Sequence, residues 1–247
     1  MLPILHLAKL RHMEDWKQLE FKEKPAMKNF RPMSVRFFQH LIFGFVASIS
    51  INFTAAAAPA YRVTDLGMFL GSNLIATDIN DLGYVAGYAG THAVVYKNGI
   101  VEDLGTLGGL SSRAHGINNI GQIVGYADTA QGARRAFVYD GMGMHELGSL
   151  GGGFSLAYAI NDEGVIVGSS QTPVGDVRAV RYTEAGPVDL GTLGGGYSQA
   201  RAINSAGQVT GQSDSESAER HAFQYSGGVM RDLGTLGGIS SFGYGIN

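Results

Sequence analysis

Histidine and acidic residues have the widest chemical use of any side chains in this sequence, since they can bind metals and transfer protons. His92 and His221 stand at one place in an internal repeat, where other copies have Arg135 and Arg178. A position that accepts either residue type predicts a hydrogen-bonding role at the start of a strand. The 247-residue chain has no cysteine, and its histidines show no H-x-H or H-E-x-x-H spacing. We therefore expect no metal site, no disulfide and no cysteine catalysis.

The carboxylates have structural explanations as well. Asp81 and Asp162 lie in N-D-x-G stretches, where an aspartate either forms a turn or contributes to a Ca²⁺ site, and turn formation is the favoured interpretation. Four further acids recur before a Leu-Gly pair: Asp103, Glu146, Asp189 and Asp232. Glycoside hydrolysis needs two convergent carboxylates, which nothing here singles out, and no G-x-S-x-G motif occurs. The sequence predicts neither catalytic residues nor a cofactor.

The clearest functional signal lies where the repeats disagree. Three residues before each repeated asparagine stands a side chain that changes from copy to copy: Thr77, His115, Tyr158, Arg201 and Tyr244. Small residues flank most of these positions. Variable polar and aromatic groups on a constant frame are how repeat proteins build binding surfaces, so these five are candidate ligand-binding residues. Ordinary variation of solvent-facing side chains is the alternative explanation.

The frame that must position these residues is an internal repeat. Its "IN" asparagine falls at 80, 118, 161, 204 and 247, so one spacing of 38 residues is followed by three of 43. The acidic residue before "LG" follows the same spacings. A constant period of this length is typical of a repeat architecture.

Each period divides into four short segments that predict strands. The segment ending in [HR]-A-[FV]-x-Y alternates apolar and variable residues, which is the periodicity of a strand. The N-x-x-G stretch before the second segment predicts a tight turn, with Asn at its start and Gly at a positive φ. The predicted structural turn residues are Asn80, Gly83, Asn118, Gly121, Asn161, Gly164, Asn204 and Gly207.

Four strands per 43 residues predict an all-β fold, a β-propeller-like array with four full units and partial ends. A β-solenoid is the alternative, and frequent glycine disfavours helical repeats. Residues 61–66 resemble a last strand without its unit, and residues 243–247 resemble part of a first strand. Either these ends share one blade and close a ring, which predicts a monomer, or further repeats follow Asn247; the second is the favoured expectation.

Composition changes at about residue 60. Beyond it lie 36 of the 37 glycines, 10 of the 18 basic residues and 17 of the 21 acidic residues. The net charge of that part is negative, so it would repel a phosphate backbone, and we expect no nucleic-acid partner.

The amino-terminal part predicts an export signal. Residues 27–60 combine a basic start, an apolar run too short to span a bilayer and a small-residue end, AAAAPA, which is the layout of a cleaved signal peptide. A membrane anchor is the alternative, and no stable membrane span is expected after cleavage. Residues 1–26 fit no export signal and are interpreted as a non-native extension. The expected location of residues 61–247 is a bacterial periplasm or the cell exterior.

The repeat DLGTLGG-x-x-S-x-A-x-x-IN-x-x-G-Q-[IV]-[VT]-G, followed by [HR]-A-[FV]-x-Y, resembles the bacterial HAF repeat of extracellular proteins. Residues 221–223 spell His-Ala-Phe, and residues 135–137 and 92–94 are variants. The resemblance covers about residues 61–247. It implies exported, propeller-like repeat proteins without an established activity, and it supplies no catalytic residues.

Three functions follow as expectations. The first is a non-enzymatic binding scaffold for a surface glycan or a protein partner. The second is a hydrolase or lyase that acts on extracellular polysaccharide, which turnover on a glycan panel would reveal. The third is a truncated structural repeat protein without independent activity, for which the reading frame would continue beyond Asn247.

Overall fold

The computed structural model describes residues 63–247, which form strands, turns and loops and contain no helix. The all-β prediction is therefore confirmed. None of the described residues belongs to a helix long and apolar enough to cross a membrane. The predicted extension at 1–26 and the predicted signal peptide at 27–60 lie outside the described residues.

Seventeen strands follow one another along the described chain. They are β1 (Met68–Phe69), β2 (Ser72–Ile79), β3 (Val85–Ala89), β4 (His92–Lys97), β5 (Ile100–Gly105), β6 (Gly108–Ile117), β7 (Ile123–Thr129), β8 (Arg134–Tyr139), β9 (Met144–Glu146), β10 (Ser155–Ile160), β11 (Ile166–Gln171), β12 (Val177–Thr183), β13 (Gly186–Asp189), β14 (Gly194–Ile203), β15 (Val209–Ser215), β16 (Arg220–Ser226) and β17 (Val229–Asp232).

Neighbouring strands in sequence are neighbours in the sheets. Strands β1 to β5 form one antiparallel sheet and β6 to β9 a second. Strands β10 to β13 and β14 to β17 also pair in order, and a single parallel pair, Val177 with Tyr197, joins these two groups. We refer to β2–β5, β6–β9, β10–β13 and β14–β17 as repeats one to four. All hydrogen bonding within a repeat is thus between segments close in sequence.

Three hydrophobic cores lie between successive repeats. Phe137 of repeat two packs with Val95 and Leu104 of repeat one, and Phe223 of repeat four packs with Val167 and Leu190 of repeat three. Both phenylalanines are fully buried. Burying such a side chain is worth about 1.5–3 kcal/mol, and no single repeat could supply its partners alone. Each sheet is therefore stabilised by the sheet that follows it.

A buried serine joins each repeat to the next. The Ser155 Oγ donates to the Gly148 carbonyl oxygen at 2.6 Å and accepts from the Ala136 backbone N–H at 2.9 Å. Ser155 itself is fully buried. Ser112, Ser198 and Ser241 make the same two contacts at their own junctions. One hydroxyl thus satisfies two backbone groups from the preceding repeat.

Some strand boundaries differ from those expected. Strands β6 and β14 begin inside the TLGG stretches of the repeat, at Gly108 and Gly194. Gly109 and Gly195 lie against the backbone of the second strand, where a Cβ would be too close, so the absence of a side chain permits this pairing. Of the predicted partial ends, residues 63–66 and 243–247 are not in strands. The Gly243 N–H nevertheless donates to the Gly211 carbonyl, so this end lies along repeat four.

The serine contacts predict a stability difference between Ser155, at the start of β10, and Ser149, in the loop before it. Ser155→Ala would leave the Ala136 N–H and the Gly148 carbonyl without their partner, so we expect a loss of about 1–3 kcal/mol of unfolding free energy. Ser149 is the matched control, because its Oγ accepts only a local bond from Gly151. Urea unfolding followed by circular dichroism measures both variants. Equal changes for Ser155→Ala and Ser149→Ala would contradict a role for the junction contact.

Candidate binding site

The five variable residues predicted from the sequence occupy one structural position. In each repeat the pairing between the first and second strands shifts by one residue, which defines a β-bulge. The shifts fall between Ala76 and Asp78, Ala114 and Gly116, Ala157 and Ala159, and Ala200 and Ala202. The residues without a register partner are therefore Thr77, His115, Tyr158 and Arg201. Tyr244 holds the equivalent place in the terminal segment.

A glycine in the second strand makes each bulge possible. Gly168 pairs with Ala157, and a Cβ on Gly168 would overlap the carbonyl oxygen of Leu156. The glycines at 87, 125 and 211 meet the first strand in the same way. The bulge brings the two backbones too close for any side chain. The glycine of [VI]-x-G, present in all four repeats, is a sequence signal for this bulge, since glycine inside a strand marks a close backbone approach.

The side chains of His115, Tyr158, Arg201 and Tyr244 follow one another in contact, and the Thr77 hydroxyl bonds to the backbone beside His115. We define the bulge row as Thr77, His115, Tyr158, Arg201 and Tyr244. The rings of His115 and Tyr158 are parallel within 2°, with centroids 5.1 Å apart. The Arg201 guanidinium lies 4.8 Å from the Tyr158 ring centroid and 5.9 Å from that of Tyr244. The structure thus brings residues from four repeats and the terminal segment side by side.

Hydrogen bonds hold members of the row in place. The Thr77 hydroxyl donates to the Ala114 carbonyl at 3.0 Å, and His115 Nδ1 lies 3.0 Å from the Ala157 carbonyl. A carbonyl oxygen only accepts, so Nδ1 carries the hydrogen and Nε2 carries the lone pair of the neutral ring. The Tyr158 hydroxyl accepts from Gln199 Nε2 at 2.7 Å. Each of these contacts reaches into the following repeat.

Burial shifts the pKa of His115 and of Tyr158 so that both side chains stay neutral. Burial lowers the pKa of His115 below its ordinary 6.5; its backbone hydrogen bond opposes this shift, and the charges of Arg201 and Arg113 reinforce it. Burial also raises the pKa of Tyr158, so the phenol keeps its proton. At neutral pH the row therefore presents a neutral imidazole, a neutral phenol and one guanidinium cation.

Arg201 has no anionic partner among residues 63–247. No carboxylate in this range lies within ion-pair distance, and the Nε of Arg201 is buried without a hydrogen-bond partner. Four other arginines of the sheets do pair with acids: Arg134, Arg135, Arg178 and Arg220. The bulge row is accordingly a local positive site in an acidic part of the chain.

The predicted turn residues form a second ladder that sets the spacing of the row. The Asn118 Oδ1 accepts from the Gln122 N–H within its own turn, while its Nδ2 donates to the Asn161 carbonyl at 3.1 Å. Asn80, Asn161 and Asn204 make the same bond to the next asparagine of the series. The turn glycines 83, 121, 164 and 207 have φ between 73° and 85°. Glycine adopts this conformation without the steric cost that a Cβ would add.

Asp81 and Asp162, the residues considered for Ca²⁺, flank the side chain of Asn119. The Asn119 Nδ2 donates to both carboxylates, at 2.8 Å to Asp81 and 2.9 Å to Asp162. These acids thus hydrogen-bond turns of successive repeats to one another. Within the described part of the chain, no three His, Asp or Glu side chains are arranged to hold a metal ion.

The histidines at the strand starts are paired with acids. His92 Nδ1 lies 2.7 Å from Asp103, and His221 Nδ1 lies 2.8 Å from Asp232. The hydrogen bond from His221 is the main cause that lowers the pKa of Asp232. The same carboxylate accepts the Gly234 N–H, so it also closes the turn that follows β17. These pairs are built into the repeat and lie apart from the bulge row.

An apolar cavity of about 430 Å³ lies at the junction of repeats two and three. Leu147, Ile166 and Tyr182 line it, with Arg181 and Glu184 also in its wall. None of the five candidate ligand-binding residues lines this cavity, whereas the predicted turn residue Gly164 does. Comparison of the chain with protein-family models gave no match, and comparison with curated proteins gave none either.

The bulge geometry predicts that Gly168 tolerates no side chain. Gly168→Ala would force the Leu156 carbonyl away and disturb the bulge at Tyr158, so we expect a loss of about 1–3 kcal/mol, as in other overpacked sites. The Cβ of a Gly143→Ala control meets open space. Chemical denaturation of both variants gives the comparison. A Gly168→Ala protein as stable as the control would show that the bulge is not required.

The lowered pKa of His115 predicts a pH dependence of stability. The unfolded chain takes up a proton near pH 6.5 and the folded chain does so only at lower pH, so stability falls as pH decreases below about 6.5. His115→Gln removes this proton uptake and should make the pH profile flatter between pH 7 and 5. Unfolding free energies measured across this range test it, and a direct NMR titration of the His115 ring is the independent check. Identical profiles for both proteins would refute the linkage.

Proposed function

We propose that this chain is an exported, non-enzymatic binding protein that holds a surface glycan or a protein partner on the bulge row. The observation that carries the proposal is the row itself: a position that varies among the repeats is also the position that a bulge takes out of the strand register, next to a glycine found in all four repeats. Bulges re-aim side chains, and they are frequent beside functional sites. A constant frame with a variable row is suited to recognition.

The frame we propose is a propeller-like array of four-stranded blades. The sequential antiparallel strand order, the cores between successive repeats and the recurring serine and asparagine contacts support it. The resemblance to HAF repeats and the export signal of residues 27–60 support a location in the periplasm or outside the cell. Such an array holds the row on paired strands, so the side chains need little ordering on binding.

Binding fits the composition of the row better than hydrolysis does. The row contains histidine, tyrosine and arginine, and tyrosine and arginine are enriched among residues that dominate binding energy. It contains no Asp or Glu, whereas glycoside hydrolysis uses a pair of carboxylic acids. Tyr158 is half-buried and Tyr244 is 71% exposed, so aromatic surface remains for a partner.

Removal of the central ring tests this proposal. Tyr158→Ala deletes the ring that lies between His115 and Arg201, and we expect it to weaken saturable binding to immobilised glycans or envelope proteins at least about tenfold, as for a central interface residue. Tyr96→Ala is the control, since Tyr96 is also half-buried but lies on β4, outside the row. Biolayer interferometry on a panel of neutral and acidic glycans provides the readout. Unchanged binding in Tyr158→Ala, or equal loss in Tyr96→Ala, would refute the row as the site.

A further inference from the structure

Arg201 presents its hydrogen-bond donors in a defined direction. Its guanidinium lies between the Tyr158 and Tyr244 rings, at 4.8 and 5.9 Å from their centroids. A planar group held between rings keeps its N–H donors at its edge, in the geometry that matches a carboxylate. The buried Nε of Arg201 has no hydrogen-bond partner within residues 63–247, and no carboxylate in this range lies within ion-pair distance of its guanidinium. A ligand carboxylate that pairs with the terminal N–H groups of Arg201 would supply the anionic partner that no residue of this range provides.

The electrostatic surroundings favour an anion. Arg113, the residue two before His115, also lacks a carboxylate partner in the described range, and its guanidinium lies 4.3 Å from the Tyr88 ring. Both Arg201 and Arg113 add to the lowering of the His115 pKa, after the larger effect of burial. Two guanidinium groups without a carboxylate partner in the described range therefore act on His115. Residues 61–247 as a whole have an excess of negative charge, with 17 acidic and 10 basic residues.

The neighbours of Arg201 are suited to hydroxyl groups. Neutral His115 offers Nε2 as an acceptor, and the Tyr158 hydroxyl, which accepts from Gln199, retains a hydrogen to donate. A sugar hydroxyl both donates and accepts, so it can satisfy either group. We propose that the bulge row binds a carboxylated glycan, with the carboxylate on the edge of Arg201 and sugar hydroxyls on Tyr158 and His115. This inference rests on the proposed function, because it names the ligand class of the same row.

A uronate polymer fits the row better than a nucleic acid does. Only one guanidinium lies between neutral groups within the row, which suits a chain that alternates carboxylates with hydroxyls. A nucleic acid carries a phosphate at every nucleotide, and its affinity comes from many basic contacts. The excess of acids in this part of the chain opposes that mode of binding.

The test uses the full chain and three uronate polymers: polygalacturonate, alginate and hyaluronate. Isothermal titration compares each polymer with its carboxyl-reduced form, which keeps the linkages and loses the charge. We expect binding of at least one native polymer and a loss of about tenfold or more on carboxyl reduction or in Arg201→Gln, as for a lost charge-assisted pair. Arg201→Lys, which keeps the charge without the planar fork, should be intermediate. Arg231→Gln is the control, since Arg231 is exposed on β17 and has no carboxylate partner in the described range.

Each other outcome overturns the inference in a distinguishable way. Equal binding of native and reduced polymers, unaffected by Arg201→Gln but lost in Tyr158→Ala, refutes the carboxylate and leaves the proposed function intact. Stronger binding of polyglutamate or a single-stranded oligonucleotide refutes the glycan. Equal loss in Arg201→Gln and Arg231→Gln indicates non-specific charge attraction, and no binding to any uronate polymer refutes the ligand class. Circular dichroism melting shows whether each variant is folded. If Arg201→Gln does not fold, Arg201→Lys still tests the role of the guanidinium.

Discussion

The hydrogen bond from each repeat asparagine to the next is the constraint on which the candidate site depends. The Asn118 Oδ1 closes its own turn, and its Nδ2 reaches the carbonyl of Asn161, 43 residues later. One side-chain amide therefore closes the turn at the end of its own first strand and also fixes the distance to the first strand of the next repeat. Together with the buried serines, these bonds hold the first strands side by side. On strands held in this way, the rings of His115 and Tyr158 stack with their centroids 5.1 Å apart.

The bulge explains how a regular frame carries an irregular surface. An ordinary strand would place each side chain on one of two faces, where packing limits its identity. The extra residue at Tyr158 has no register partner, so its side chain is free to vary. The constraint moves to Gly168, whose missing Cβ admits the bulged backbone. The glycine at Gly168 is thus the same in every repeat, and it permits variation at the neighbouring bulged position.

Charged side chains of the constant frame are mostly paired, whereas the charged side chain of the variable row is not paired with any carboxylate of residues 63–247. Most acids of the described residues take part in structural contacts, such as Asp103 with His92 and Asp162 with Asn119. The arginines at the strand starts are likewise paired. Arg201 differs because it replaces a polar or aromatic side chain in the row, where the neighbouring groups are rings and small residues. A single substitution in a repeat is therefore enough to create an unpaired cation, since the frame supplies no acid at that position.

The sequence by itself determined the period, the all-β class and the five residues that vary, because these follow from local pattern and from comparison of one repeat with another. Turn residues such as Asn161 and Gly164 could be identified for the same reason, since turn chemistry acts within four residues. Only the tertiary structure decided that Tyr158 is bulged, that it stacks between His115 and Arg201, and that Arg201 lacks a carboxylate partner among the described residues. Those features depend on contacts between residues about 43 positions apart. No local pattern specifies the distance or the orientation of such groups before the sheets are packed.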